Sequence, residues 1–348
     1  MRCHITVFAL ILVAAGAAAT QEPTEAMDLS RHPARLAESW KPWLRKSLRE
    51  RLKPAPAMLV DYLRKDNQKN GYPEVPRSAE LTEDFFKDIE SALADIPDAV
   101  IELIEPYLTG VYLVRDLGTS GFCDTAFSAS GPPLCYIVLD LGFLDRTANE
   151  WATWKESSPF RSSGHLGIRA TIEPAHRDDR AGALRYILLH EFGHVVGATQ
   201  GLHPDWNGDG DPDKFSFSRL SWKRENGKLT SRWDPTFNLR PKLRYYAFDK
   251  AELPTSEAVA AYRQLEATDF CTLYAATNPY DDFAEFFVTY AHTVLAGQQV
   301  EVQILDGEKV ICRLDVDLSA PRFAAKRRIL DGIFAAWRRG RGRWPPRN

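Results

Sequence analysis

Apolar positions recur at helical spacing in some stretches of the chain and run on or alternate in others, which predicts a mixture of helices and strands. Residues 38–66 place Trp40, Trp43, Leu44 and Leu48 at helical spacing until Pro54 and Pro56 break the run. Residues 80–108 read as one or two more helices, through Phe85, Phe86, Ile101 and Leu103. Residues 110–114 and 134–139 are short apolar runs with strand character, and 166–172 alternate as a strand buried on one side does. At an edge, that third strand could accept an extended peptide by strand addition. Leu184, Ile187, Leu188 and Val195 then mark a helix that can end at Gly197. Between 197 and 278 the chain is loop-rich and aromatic. Another helix follows from 279, with Phe283, Phe286, Phe287, Tyr290 and Val294 on one face and Asp281, Asp282, Glu285, Thr289 and His292 on the other. Residues 301–313 predict a hairpin around Asp306-Gly307. A last helix over 320–338 carries Phe323, Leu330, Ile333, Phe334 and Trp337 on one face. There are no internal repeats.

The 348 residues, net charge of -3 and 44% hydrophobic content fit a globular chain with a substantial core. This charge does not point to nucleic acid. The N-terminus changes the picture: one arginine, an apolar run over 5–15 and a small-x-small site at Ala17-Ala18-Ala19 predict a cleavable signal peptide over 1–19. The expected location is therefore secreted or periplasmic. Export makes disulfides the first reading of Cys123, Cys135, Cys271 and Cys312, with Cys123–Cys135 the local pairing. The expected divisions are 20–97, a linker and helical region; 98–300, a catalytic domain; and 301–348, a hairpin and basic helix and tail.

The chemistry concentrates in His190-Glu191-Phe192-Gly193-His194. Two histidines four residues apart on a helix share a face and can reach one ion, and the glutamate between them can deprotonate a metal-activated water. A catalytic zinc takes three protein ligands and leaves one position open, so a third ligand is required. A histidine six residues on would complete a three-histidine site, but that position is Gln200, and His203 comes three residues later. Glu285 is the stronger candidate, because a carboxylate in so aromatic a helix needs a cation or a partner.

The His-Glu-x-x-His segment with Asp282-Phe283-Ala284-Glu285 resembles the gluzincin clan of zinc metallopeptidases, in particular secreted bacterial members related to the lethal factor catalytic domain. The resemblance implies an α+β, zincin-like domain: a small mixed sheet, an active-site helix and a glutamate helix, behind an N-terminal helical region. It implies zinc on His190, His194 and Glu285, with Glu191 as general base in peptide-bond hydrolysis. Those enzymes carry a tyrosine seven residues before the ligand glutamate, and here that position is Asn278. Tyr280 and His292 are the candidates for stabilising the transition state, and Asp281 or Asp282 could orient a histidine or cap the helix. Two alternatives stand beside the endopeptidase: a zinc hydrolase of a non-peptide, cell-wall amide, and a zincin-like binding module without activity. Asp205, Asn207, Asp209, Asp211 and Asp213, with Gly210 in sixth place, resemble the start of a calcium loop that lacks its final glutamate. The expected partner is a peptide or protein substrate, and the basic C-terminus offers weak attraction to an anionic surface.

Overall fold

A computed structural model describes residues 28–129, 131–204 and 210–340. The signal segment expected over 1–19 lies outside them, as do Asp205, Asn207 and Asp209 of the acidic loop. Helices and strands are mixed in the chain, compatible with the α+β expectation. It divides into two compact units, and both are discontinuous. One holds the described residues up to Glu90 together with Ile104–Asp145. The other holds Ser91–Leu103 and the described residues from Arg146 onward. This differs from the expected divisions after 97 and 300: the hairpin and the last helix belong to the unit that carries the two histidines.

The first unit is built on a five-stranded sheet. Leu52–Pro54, Leu108–Arg115 and Leu134–Asp140 run parallel, with Gly121–Ala126 antiparallel on the far edge. The two central strands are buried almost end to end. That is why the sequence shows them as runs rather than alternations. Trp40 lies within about one ring width of Tyr112 and Tyr136, at 5.2 and 5.1 Å, and closes the core with Leu59 and Leu63 of the helix Ala57–Asn70. Cys123 and Cys135 lie in this sheet, but the register sets Cys123 opposite Ile137 and Cys135 opposite Thr125. They are two positions out of step and form no disulfide. Cys271 and Cys312 remain thiols as well, so the expected pairings are absent among the described residues. Burial pushes the Cys271 thiol up to about 12, as an inert core residue.

The second unit carries a three-stranded antiparallel sheet, Lys309–Asp315, Glu301–Asp306 and Leu166–Thr171 in that order. The expected hairpin turns at Gly307, whose φ of +59° suits a residue without Cβ. Leu166–Thr171 is an edge strand, but its outward groups are spoken for at one end. Thr153 Oγ1 bonds both the amide and the carbonyl of Ala170, and Asn149 Oδ1 accepts from Ile172 and Glu173. The helix Ala148–Ser157 that supplies these side chains, here the lysine helix, blocks strand addition over that half.

The histidine helix spans Arg180–Gln200. Asp179 caps its start by accepting from Gly182, and Gly201 ends it in the left-handed region at φ +62°. Gly197, expected to end it, lies inside. A Cβ there would meet His203 Nε2 at 2.2 Å, so the glycine makes room for that ring. The aspartate helix spans Pro279–Thr289, and every residue of it is buried. Asn278 caps it by accepting from the amides of Tyr280 and Asp281 at 3.0 and 2.9 Å. The two helices cross at Gly193 and Ala284, where an added Cβ would stand 2.8 Å from Ala284 Cα. This close approach requires both residues to be small, and it sets the distance between the histidines and the acids of the second helix.

Candidate metal centre

His190 and His194 lie one turn apart on the histidine helix, and their Nε2 atoms are 3.2 Å apart. Asp281 Oδ1, from the first turn of the aspartate helix, is 3.6 Å from each of them. Among the described residues these three form the group that could hold a metal ion. The fit can be tested on distances: four ligands at about 2.0–2.1 Å in a tetrahedron have edges of about 3.4 Å. The observed triangle of 3.2, 3.6 and 3.6 Å matches that spacing. Two imidazoles and a carboxylate are also a donor set that suits zinc. Asp281 is held in place by its second oxygen, Oδ2, which accepts from Asn278 Nδ2 at 2.5 Å.

Glu285, the expected third ligand, occupies a different place. Its Oε1 lies 2.8 Å from Nδ1 of His190, on the side of the ring away from the ion position. The same oxygen accepts from Lys155 Nζ at 2.6 Å, and Oε2 accepts from Thr272 Oγ1 at 2.7 Å. The contact with His190 is close but off the line of a good hydrogen bond. Carboxylate, imidazole and ion position are thus in series, an arrangement that orients a ligand histidine from behind.

The electrostatics follow from burial and these neighbours. Burial pushes the pKa of His190 down, but the carboxylates of Asp281 and Glu285 outweigh it and bring the imidazole to about 9. His194 is buried beside two other imidazoles, His190 and His203, and is held well below the usual range in its neutral form. Burial pushes Glu285 upward, yet Lys155 and His190 overcome it and hold the carboxyl at about 2. Glu191 is buried on the same helix and acts electrostatically on His190, Tyr246 and Tyr274. Tyr274 stacks on His190 with ring centres 5.7 Å apart and planes inclined by 24°. Tyr246 follows at 6.1 Å from Tyr274, with its backbone in the left-handed region at φ +61°. A non-glycine residue held there marks strain that the surroundings must support, and Ser158 Oγ accepts from its amide at 2.9 Å.

The other candidates fall elsewhere. His292 Nε2 lies 2.7 Å from the carbonyl of Ile172, and burial lowers its pKa to about 4. It is a neutral donor to that carbonyl, and its Nε2 is committed there. Tyr280 packs edge-on against His203 at 5.3 Å, and His203 Nδ1 donates to the carbonyl of Pro204. Asp211 accepts from the amide of Asp213, and Asp213 pairs with Arg232, so both acids of the described part of the acidic loop have protein partners. The last helix, Ala324–Gly340, buries Leu330, Ile333 and Phe334 in the unit.

Sequence reasoning missed Lys155, left Tyr274 among several nearby tyrosines without a role, and weighed Asp281 for a supporting role. Spacing could have signalled two of them: Asp281 and Glu285 are i and i+4 on one face, and Tyr274 precedes Asp281 by seven. Nothing local marks Lys155, which is 130 residues from its partner. The chain matches no protein-family model, and comparison with curated proteins and with solved structures finds no match.

Proposed function

We propose that the protein is a zinc metallopeptidase with a zincin-like arrangement of its two central helices, in which His190, His194 and Asp281 hold the ion and Glu191 is the general base. The observation that carries this reading is the convergence of the three side chains at tetrahedral ligand spacing, with a buried glutamate between the two histidines. Zinc, when bound, supplies polarisation of the scissile carbonyl and acidity to a water. Glu191 accepts the proton of the attacking water and returns it to the departing amine. Tyr274 donates its hydroxyl to the developing oxyanion. With Asp281 as ligand, the tyrosine expected seven residues before it by resemblance to the lethal factor-related enzymes is Tyr274, which stacks on His190. Glu285 takes the place four residues after the ligand, one turn further along the same helix.

The test is metal analysis beside peptide hydrolysis for the wild type, Glu191→Gln, Asp281→Ala and Glu285→Ala. The expected result is one zinc in the wild type and in Glu191→Gln, with hydrolysis lost from the latter. Zinc is lost from Asp281→Ala and weakened but retained in Glu285→Ala. Zinc lost from Glu285→Ala and kept in Asp281→Ala would reverse the ligand assignment, and hydrolysis by Glu191→Gln would remove the general base.

A further inference from the structure

Lys155 is a buried charge in the metal neighbourhood to which this mechanism gives no task. The residue is 4% exposed, and burying an ammonium is costly unless its charge is compensated. Two carboxylates are close enough in the chain or in space to do so. Glu156, its neighbour, feels the same charge electrostatically, while its Oε2 accepts the hydroxyls of Tyr245 and Tyr262 at 3.1 and 2.8 Å. Glu285 is the partner that Lys155 reaches, at 2.6 Å. The ammonium also lies 4.7 Å from the centre of the Tyr274 ring, within cation–π range. One buried charge therefore touches the carboxylate behind His190 and the aromatic ring stacked on the face of His190.

We infer that Lys155 is a positioning residue for the metal centre, which commits Glu285 to the Nδ1 side of His190 and steadies Tyr274 against the same imidazole. The inference rests on the metallopeptidase reading for its catalytic part, but its metal-binding part stands on the geometry alone. Glu285 is itself a competent zinc ligand on a helix one turn beyond Asp281. Lys155 and Thr272 together engage both of its oxygens, and Oε1 lies on the Nδ1 side of His190. The lysine thereby keeps the carboxylate behind the histidine and leaves Asp281 as the ligand. Replacing it removes the group that holds Glu285 in line, so His190 loses its fixed orientation although no ligand has been changed.

The experiment is a double-mutant cycle on zinc affinity, measured by competition with a chromophoric chelator, with Lys155→Met, Glu285→Gln and the pair combined. Lys155→Met alone leaves an uncompensated buried carboxylate and can fail to fold. The combined variant is neutral at both positions and keeps the test valid. Glu285→Gln is expected to lower zinc affinity about 10- to 100-fold, and a folded Lys155→Met to do the same. The combined variant is expected to match Glu285→Gln alone within about twofold, because the lysine acts through the glutamate. A combined loss equal to the product of the single losses overturns the inference, as does zinc binding in Lys155→Met that equals or exceeds that of the wild type. At saturating zinc, Lys155→Met should lower kcat for peptide hydrolysis and leave KM unchanged; an unchanged kcat overturns the contact with Tyr274. A wild type that binds zinc but hydrolyses no peptide overturns the peptidase reading and leaves the affinity cycle standing.

Discussion

Lys155 and Lys326 are both buried, and each approaches a carboxylate of the aspartate helix at 2.6 Å, Glu285 and Asp282 respectively. Their surroundings differ. Lys326, from the last helix, is fully enclosed, with the rings of Phe217 and Phe270 at 5.0 and 4.7 Å and a second acid, Asp269, at 3.4 Å. The other oxygen of Asp282 accepts from Trp222 Nε1 at 2.9 Å. That network closes on itself and fastens the last helix to the aspartate helix. Lys155 works through an open one: its glutamate passes the contact on to His190 and from there to the ion position. The same kind of ion pair thus serves as a fastening at Asp282 and as alignment at Glu285. The difference lies in whether the acid's remaining contacts end in packing or in a ligand.

The largest expected effect breaks the fastening. Lys326→Met leaves Asp282 and Asp269 buried without their cation and should cost about 3–5 kcal/mol of stability in denaturant titration. The fraction that stays folded should bind zinc as tightly as wild type, in contrast to Lys155→Met. Weaker zinc binding per folded molecule would merge the two networks into one. The next effect is acid sensitivity at His292, beyond the end of the aspartate helix. Its pKa falls from the usual 6.5 to about 4 in the folded protein, chiefly through burial. The unfolded chain therefore takes the proton first as pH falls. The stability contributed is complete above about pH 6.5 and is lost on the way down to about pH 4. The shift is worth on the order of 3 kcal/mol. Melting curves of His292→Gln across that window should show a shallower pH dependence than wild type, with or without zinc.

Gly193→Ala tests what both networks depend on, the approach of the two helices. The added methyl would stand 2.8 Å from Ala284 Cα, so the backbones must separate. A stability loss of about 1–3 kcal/mol is expected, together with weakened zinc binding as Asp281 draws back from the histidines. Full zinc affinity in a destabilised variant would show that Asp281 follows the ion and not the helix. The smallest effect is at Asn278, where Asn278→Ala removes the cap of the aspartate helix for about 1 kcal/mol. It also removes the 2.5 Å bond to Asp281 Oδ2, so zinc affinity should drop alongside this small loss of stability; chelator competition reads it.

The His-Glu-x-x-His helix was legible because its signal is local: two histidines at i and i+4 need only the helix to share a face. The aspartate helix and the hairpin at Gly307 were legible for the same reason. The convergence of Asp281 with the two histidines was not. Helical periodicity sets Asp281 and Glu285 on one face, and the choice between them depends on where that face crosses the other helix. The crossing is fixed by Gly193 against Ala284, and the turning away of Glu285 by Lys155, far off in the chain. The cysteines misled because their spacing suits a short loop, whereas pairing register sets Cys123 and Cys135 two positions out of step. The two-unit division was hidden because both units are assembled from separated stretches, which no composition change marks.

The fastening at Lys326 also bears on how the molecule comes to exist. Every residue that faces the ion position has been synthesised by Asp281, but the cation that neutralises Asp282 is 44 residues further on. A nascent or prematurely ended chain that stops short of it carries the three candidate ligands on their two helices, with Asp282 a bare acid in the core. Metal uptake is therefore expected to depend on the helix Ala324–Gly340: a chain truncated ahead of Lys326 should lose it although all three candidate ligands are present.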